Sequence, residues 1–376
     1  MNVAIVNDSK IAAEVLRRIL AEMTEFHLLW TACSGEEAIR LCADARPDII
    51  LMDLIMPGID GAETTRRIMK STPCVILIVT ATMVGNRDQV FDAMGYGALD
   101  AVNTPRLGLG GDMSGAEPLR QKLRTVARLV NRGVDSQNGT LSTDPTRDRV
   151  ERPGASRSVP ASPQIRSTGG LAIVAIGAST GGPQALAQIL SHLPPHFPAA
   201  VLVVQHVDAQ FAPGLANWLQ HHSRLPVRIA KAGERLALGT VCIAGTNDHL
   251  IYEERDVQGG FLNYTAVPQD NSYRPSVDVL FASLAHPHHA ARIGVLLTGM
   301  GRDGAEGLLA LRNAGGLTIA QDAASSVVYG MPKAAADMNA ASQILPLESI
   351  GPRIREVILS STFPIHSLEP SLAKHK

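Results

Sequence analysis

Short, uninterrupted apolar runs recur along two separate stretches of this chain. The first stretch contains NVAIV, LLWTAC, DIILMD, CVILIVT and LDAV, and the second contains LAIVAIGAS, PAAVLVVQH, TVCIAG, HLIYE, RIGVLLT and GLTIAQ. Continuous apolar runs of this length are typical of parallel strands that helices cover on both faces. Amphipathic helical patterns such as SKIAAEVLRRILAE and QALAQILSHL lie between many of them. The sequence therefore predicts two α/β units, each with a mainly parallel sheet.

A different composition separates the two units. The segment GVDSQNGTLSTDPTRDRVERPGASRSVPASPQIRSTGG is rich in Ser, Pro, Thr, Gly and Arg and has almost no large apolar residue. Such a segment cannot bury enough surface to offset the entropy of ordering it. Because 376 residues are also too many for one ordinary core, we predict three parts. They are a five-stranded doubly wound domain (1–132), a flexible linker (133–169) and a second α/β domain (170–360).

Charge and cysteine usage exclude several classes of function. The formal net charge is -1, so the chain has no field that would attract nucleic acid or an acidic membrane surface. No helix-turn-helix pattern follows the linker, which also disfavours DNA binding. Four cysteines occur without a CxxC pair, and no apolar run reaches the length of a membrane span. These features predict a cytoplasmic protein with reduced thiols and no membrane insertion.

Polar side chains follow three predicted strands of the first unit. Asp8 ends the first strand, Asp53 the third and Thr80 the fourth. The carboxyl ends of parallel strands meet at one edge of a sheet, where function collects. Two carboxylates and a hydroxyl at that edge suit Mg²⁺, which prefers oxygen ligands and keeps positions open for phosphate. For any single acid, the alternative of an ordinary strand-end cap is the more common one.

Residues 1–130 resemble a response-regulator receiver domain, which has a flavodoxin-like fold. MDLIMPGIDG fits the phosphoacceptor loop of that family closely. The resemblance implies that Asp53 is the phosphorylated aspartate and that Thr80 senses the phosphoryl group. It also implies a Mg²⁺ site formed by Asp8, Asp53 and the backbone carbonyl of Ile55.

Three positions depart from the receiver pattern. Asn7 stands where receivers usually carry a second acid, and Thr104 stands where they carry a lysine. Ala101 replaces the aromatic switch residue. Loss of the lysine removes a positive charge that would pair with phosphate oxygens. The strength of Mg²⁺ binding and of signal transmission therefore stays open.

The second unit places a serine, a histidine and an aspartate at predicted strand ends. Ser179 lies in the glycine-rich turn GASTGG, His206 ends PAAVLVVQH, and Asp303 follows VLLTGMGR. Acyl transfer needs a hydroxyl nucleophile, an imidazole that takes its proton and a carboxylate that orients the imidazole. Taken singly, the three could be a helix cap, a core histidine and a second helix cap. Their joint placement favours hydrolytic chemistry.

GMGRDG in the same region also has the spacing of a dinucleotide-binding loop. Its glycines are Gly299, Gly301 and Gly304, and an acid, Asp322, lies near the end of the next strand. This would indicate a nicotinamide-dependent oxidoreductase. However, Asp303 would put a carboxylate where a pyrophosphate must sit, and the loop falls late in its domain. The hydrolase remains the preferred hypothesis.

Residues 170–355 resemble the catalytic domain of the chemotaxis protein-glutamate methylesterase (CheB) family. The matching segments are GASTGG, QHV, RPSVDVLFASLA, LLTGMGRDGAEGL and TIAQDAASSVVYGMPKAA. The resemblance implies Ser179 as nucleophile, His206 as general base and Asp303 as orienting acid. It adds the Met300 backbone N–H to the oxyanion hole and gives Thr180 a role in supporting the histidine.

The same resemblance implies a function and its partners. The family removes methyl esters from glutamates of a methylated chemoreceptor and deamidates its glutamines, with no cofactor for the hydrolysis. A histidine kinase of the chemosensory array would phosphorylate the receiver, which would otherwise cover the catalytic cleft. VNDS, DAVNTP and the absent lysine are similar to the Wsp-type surface-sensing branch. The alternative is a response regulator whose output domain only binds a partner.

Overall fold

The computed structural model describes residues 1–80, 87–107, 113–135, 171–256, 259–269, 273–285 and 291–362. Most of the predicted linker, 136–169, lies outside these ranges. Its first three residues belong to the last helix of the first unit, which runs to Asp135. Among the described residues, no helix combines the length and the apolar character needed to cross a bilayer.

The first unit alternates strands and helices as the sequence predicts. Its strands are β1 (Asn2–Val6), β2 (His27–Ala32), β3 (Ile49–Met52), β4 (Val75–Thr80), β5 (Asp100–Asn103), β6 (Arg106–Leu107) and β7 (Met113–Ser114). Its helices are α1 (Lys10–Ala21), α2 (Gly35–Asp44), α3 (Gly61–Ser71), α4 (Arg87–Gly95) and α5 (Ala116–Asp135). The main sheet is parallel, with the order β2-β1-β3-β4-β5. Ser9 caps α1, since its hydroxyl accepts the N–H of Ala12.

The second unit is built around a larger parallel sheet. Its strands are β8 (Ile173–Ala178), β9 (Ala200–Gln205), β10 (Val227–Ile229), β11 (Glu234–Arg235), β12 (Val241–Ile243), β13 (His249–Asp256), β14 (Gly259–Thr265), β15 (Arg292–Leu296), β16 (Leu317–Gln321) and β17 (Gln343–Leu345). Its helices are α6 (Gly182–Ser191), α7 (Ala212–His222), α8 (Val277–Ser283), α9 (Ala305–Asn313), α10 (Met331–Asp337) and α11 (Leu347–Thr362). Seven strands form the main sheet in the order β10-β12-β9-β8-β15-β16-β17. The predicted α/β class, with parallel sheets in both units, is confirmed.

One predicted strand lies outside the main sheet. HLIYE belongs to β13, which pairs antiparallel with β14 and, through it, with β11 in a separate three-stranded sheet. An apolar run identifies a strand but not the sheet that the strand joins. The hairpin therefore could not be separated from the parallel strands by its composition alone.

Both main sheets bring functional side chains to a change in strand order. In the first sheet, β1 lies between β2 and β3, so the strands that follow β1 are added on both of its sides. In the second sheet, β8 lies between β9 and β15 in the same way. Ligands bind in open α/β sheets beyond the carboxyl ends of strands at such positions. The two predicted sites lie there, one in each unit.

Candidate active site

Ser179 lies in a tight turn between β8 and α6. Its N–H donates to the Thr298 carbonyl over 3.0 Å, and its carbonyl accepts the side-chain amide of Gln205 over 2.8 Å. Gly181 closes the turn with φ +78°, a left-handed conformation that favours glycine. A Cβ at Gly299 would lie only 2.7 Å from the Ser179 Cβ, so the loop after β15 packs directly against the serine. The turn fixes the serine backbone beyond the end of its strand.

His206 and Asp303 form a direct pair. His206 follows β9, the neighbour of β8, and its Nε2 lies 2.8 Å from Oδ2 of Asp303. The side chain of Asp303 is buried, and that of His206 is 9% exposed. An imidazole that donates Nε2–H to a carboxylate is held in the tautomer whose Nδ1 lone pair is free to act as a base. The His206 Nδ1 is buried and has no hydrogen-bond partner among the described residues.

The Asp303 carboxylate is anchored by the segment that begins α8. It accepts hydrogen bonds from the Ser276 hydroxyl (2.7 Å) and from the backbone N–H groups of Val277 (2.7 Å) and Asp278 (3.1 Å). Burial alone would raise the pKa of Asp303, but the hydrogen bond and charge of His206 and these donors lower it to about 2. Asp303 is therefore an anion at neutral pH, as an orienting carboxylate must be.

One cavity of about 460 Å³ contains both Ser179 and His206. Its lining also includes Met300 and Thr180, the other two residues that the sequence placed at this site. The structure thus brings Ser179, His206, Thr180 and Met300 to one crevice. Asp303 lies beside the imidazole, hydrogen-bonded to its Nε2. A hydroxyl, an imidazole and a buried carboxylate in this order can perform acyl transfer.

The Thr180 hydroxyl has a partner that the sequence did not predict. It donates to Oδ2 of Asp100, in β5 of the other unit, over 2.7 Å. Asp303 bonds Nε2 of His206, and Nδ1 has no hydrogen-bond partner in the described part of the chain, so Thr180 does not hold the imidazole by a hydrogen bond in this arrangement. Its hydroxyl instead joins the turn of Ser179 to the first unit.

The acidic site of the first unit has the predicted members close together. Oδ1 of the half-buried Asp53 accepts the N–H groups of Leu54 (2.7 Å) and Ile55 (3.5 Å). Burial raises the pKa of Asp53, and the negative charge of Asp8 raises it further. The two N–H groups and the Thr80 hydroxyl lower this pKa, because they donate hydrogen bonds to the carboxylate. The carboxylate of Asp8 is exposed. Two carboxylates that repel each other at a strand edge suit a divalent cation, which would relieve the repulsion.

The structure places the three positions that depart from the receiver pattern. Asn7 is buried, and its side-chain oxygen accepts the N–H of Ser9, so it shapes the turn into α1. Thr104 donates its backbone N–H to the carbonyl of Thr80. Ala101 is buried in β5 and lines the cavity that contains Ser179. The position of the usual aromatic switch thus lies at the contact between the two units.

The dinucleotide alternative for GMGRDG finds no support in the geometry. Gly301 (φ +87°) and Gly304 (φ +91°) shape the turn, and Gly304 is the N-cap of α9. Asp303 lies between them with its carboxylate bonded to His206 and to the start of α8. A pyrophosphate at this helix end would meet an anchored anion, so the loop fits a hydrolase better than a nucleotide-binding protein.

The face formed by α4, β5 and α5 packs over the catalytic crevice. Phe91 and Trp218 meet with ring centroids 6.3 Å apart, and Asn103 donates to Asp208 over 3.2 Å. Lys122 forms an ion pair with Asp100. Further residues of the first unit line the cavity beside Ser179, among them Val102, Pro118 and Gln121. The first unit therefore forms one wall of the crevice.

Sequence reasoning missed several residues of this site. Tyr273 stacks on the imidazole, Gln205 holds the Ser179 carbonyl, and Ser276 anchors Asp303. Asp100 reaches the site from the other unit. Gln205 and Ser276 lie within matching segments, but nothing in their letters indicates which atom each one contacts. Only the folded chain brings these distant segments together.

The fold and the site together define a class, that of response regulators whose output domain has an α/β fold and a hydrolytic site. The family model "CheB methylesterase" matches residues 174–354, and the model "Response regulator receiver domain" matches residues 3–106. With relatives about half identical along nearly the whole chain, the chain belongs to the CheB methylesterase family.

The relatives carry names that state their activity. Protein-glutamate methylesterase/protein-glutamine glutaminase 3 of Pseudomonas aeruginosa is 49% identical over 357 residues, which is 95% of this chain and 99% of the relative. Protein-glutamate methylesterase/protein-glutamine glutaminase 2 of Cupriavidus metallidurans is 50% identical over 94% of this chain and 97% of its own length. The crystal structure of the Thermotoga maritima CheB methylesterase catalytic domain is 37% identical, with a TM-score of 0.48, and covers 50% of this chain and 98% of its own.

Proposed function

We propose that this protein hydrolyses methyl esters of glutamate side chains in a receptor protein and deamidates receptor glutamines. One observation carries the proposal: the 2.8 Å bond from His206 to Asp303, beside a cavity that Ser179 also lines. The names of the relatives supply the substrate class. Membership of the family and the presence of a receiver domain make regulation by phosphorylation part of the same function.

The geometry assigns a role to each nitrogen of His206. Because Nε2 is bonded to Asp303, Nδ1 is the atom that takes the proton of the Ser179 hydroxyl as the oxygen attacks the ester carbonyl. The buried Asp303 anion stabilises the imidazolium that forms. Nδ1 then returns the proton to the leaving methoxide, which departs as methanol. Water, deprotonated by the same nitrogen, releases the free glutamate from Ser179.

Backbone groups near the serine would stabilise the tetrahedral intermediate. Met300 lines the cavity next to Gly299, which packs against Ser179. Its N–H, in the loop after β15, is our candidate for the oxyanion hole. Deamidation uses the same acyl-enzyme and releases ammonia in place of methanol. The hydrolysis itself needs no cofactor.

Replacing Ser179 by Ala tests the nucleophile. We expect the release of methanol from a methylated receptor to fall by a factor of 10³ or more, since the covalent route is lost. Radiolabelled methyl groups on the receptor would report this release. Ser191→Ala, on the exposed end of α6, is the matched control and should keep the original rate. Demethylation that continues unchanged in Ser179→Ala would exclude the proposed mechanism.

Regulation would act through the wall that the first unit adds to the crevice. We propose that the receiver domain keeps a protein substrate away from Ser179 and that phosphorylation of Asp53 loosens this contact, with Thr80 as the switch residue. Asp8, Asp53 and the Ile55 carbonyl would hold the Mg²⁺, which neutralises charge on the phosphoryl group. The donor would be the histidine kinase of a chemosensory array.

A phosphodonor experiment tests this regulation. The full chain is incubated with Mg²⁺ and acetyl phosphate, and methanol release is compared with that of Asp53→Asn. We expect activation of the native protein and none of the variant. Equal rates with and without phosphodonor in the native protein would mean that the receiver acts by docking alone.

The remaining assignments follow from the same proposal. The partners would be a methylated chemoreceptor and its kinase, without nucleic acid or membrane insertion, in the cytoplasm. The predicted bounds are 1–132 for the receiver, 133–169 for the linker and 170–360 for the catalytic domain, and the end of α5 at Asp135 moves the start of the linker to residue 136. Membership of the Wsp-type surface-sensing branch stays a prediction from VNDS and DAVNTP.

A further inference from the structure

Hydrogen bonding among the described residues holds the imidazole of His206 at one nitrogen only. A general base must keep both its position and the plane of its ring while it exchanges a proton. Only Nε2 is hydrogen-bonded, to Asp303, while Nδ1 has no partner among the described residues. One hydrogen bond leaves the ring plane weakly defined, so another contact must fix it.

Tyr273 supplies a contact of the right kind. Its ring lies on the imidazole of His206 with centroids 4.3 Å apart and planes only 4° from parallel. Tyr273 is partly buried and lines the same cavity as Ser179. No hydrogen bond of its hydroxyl is found among the described residues, so its contribution at this position comes from the ring face.

The structure makes room for this ring and anchors it. A Cβ at Gly301 would lie 2.8 Å from the Tyr273 hydroxyl oxygen, so the glycine admits the phenol. The next residue, Arg274, is fixed by hydrogen bonds to the Asn247 carbonyl (3.0 Å) and to Asp248 (2.9 Å). The ring thus rests on a segment that is tied down independently of His206.

The same short segment holds the orienting acid. Ser276 and Val277, three and four residues after Tyr273, donate two of the hydrogen bonds that fix Asp303. One stretch of chain therefore sets the plane of the imidazole through Tyr273 and the place of its hydrogen-bond partner through the start of α8. An aromatic face also favours a positive charge beside it, and the imidazole becomes positive as Ser179 attacks.

We infer that Tyr273 is a positioning residue of the hydrolysis, which fixes the ring plane of His206 and favours its protonated form in the transition state. The inference rests on the proposed function. Because the effect is made in the transition state, it belongs to kcat rather than to substrate binding. The aromatic face is the required feature, and the hydroxyl is dispensable.

Two variants of Tyr273 in the full chain test the inference. After activation with Mg²⁺ and acetyl phosphate, kcat and KM for methanol release from a methylated receptor are measured. Tyr273→Phe, which keeps the ring, should retain the wild-type kcat within about twofold. Tyr273→Leu should lower kcat about tenfold or more, equivalent to about 1.4 kcal/mol, with KM within about twofold. Tyr273→Met, which fills the gap without a ring, is used if the Leu variant fails to fold by circular dichroism.

Each outcome has a distinct meaning. Loss of kcat in the Leu or Met variant with rescue by Phe supports the inference. Equal losses in Phe and Leu would place the effect in the hydroxyl, and a raised KM at constant kcat would make Tyr273 a substrate contact; both overturn the inference. Wild-type kcat in the ringless variants overturns it as well. An inactive wild-type protein would instead contradict the proposed function.

Discussion

At the scale of single residues, two neighbouring carboxylates behind His206 have opposite properties. The pKa of Asp303 is lowered to about 2, whereas burial, with the adjacent Asp303 charge, raises the pKa of Asp278 to about 6. The two pKa values differ because the two carboxylates accept different numbers of hydrogen bonds. Asp303 accepts several donors including His206, while Asp278 accepts chiefly the N–H of Gly307, over 2.7 Å. Pairs of acids with separated pKa values let one remain ionised while the other takes up a proton.

Asp278 gives a testable dependence of stability on pH. A raised pKa means that the folded protein binds the proton more tightly, so this contribution is present at low pH and is lost as pH rises through about 6. Asp278→Asn keeps an acceptor for Gly307 and removes the charge. We expect the variant to gain about 1–2 kcal/mol over wild type at pH 8, after allowance for solvent screening, but little at pH 4. Urea unfolding at both pH values measures this, and a constant difference would contradict it.

At the scale of elements, the apolar runs predicted six strands, β1, β3, β4, β8, β9 and β15. A parallel strand that is buried on both faces must be apolar at nearly every position, so its sequence is easy to recognise. The strand ends then placed Ser179, His206 and Asp303 correctly relative to the sheet. The sheet of β13 could not be predicted, since its pairing with β14 depends on a turn rather than on the run itself. Nor could Tyr273, whose contact with His206 joins segments far apart in the sequence.

The turn after β15 makes a second prediction. A Cβ at Gly299 would lie 2.4 Å from the Met331 sulfur and 2.7 Å from the Ser179 Cβ, so Gly299→Ala must displace the serine or the loop. We expect kcat to fall about 100-fold, because a shift near 1 Å at a reacting group has that effect. Gly315→Ala (φ +90°, with open space around the site of the new Cβ) is the control, since it strains the backbone away from the crevice. Equal activity of the two variants in methanol release would refute the packing role of Gly299.

At the scale of the whole molecule, the two units share one contiguous cluster of buried apolar side chains that extends from β1 of the first unit to α11 of the second. The contact between the two units is largely apolar, and Asp100 is a buried charged residue within it. It accepts the Thr180 hydroxyl and pairs with Lys122 of its own unit. Because Thr180 is adjacent to Ser179, this hydrogen bond connects the first unit to the turn that carries the nucleophile. A change in the receiver could reach the hydrolytic site through it. The hydrogen bond between Asp100 and Thr180 could not be predicted from the sequence, because the two residues are 80 positions apart.

Removal of Asp100 should therefore raise the basal activity of the full chain. Asp100→Ala removes the hydrogen bond that crosses between the units and leaves the buried Thr180 hydroxyl without this partner, which costs the closed arrangement about 1–3 kcal/mol. If the closed arrangement dominates, the open population and the rate of methanol release without phosphodonor rise at least fivefold. The double variant with Asp53→Asn should show the same gain, because the contact lies downstream of phosphorylation.

Asp44→Ala, on the exposed face of α2, is the control. A basal rate equal to that of wild type in Asp100→Ala would show that the apolar contacts alone keep the crevice closed.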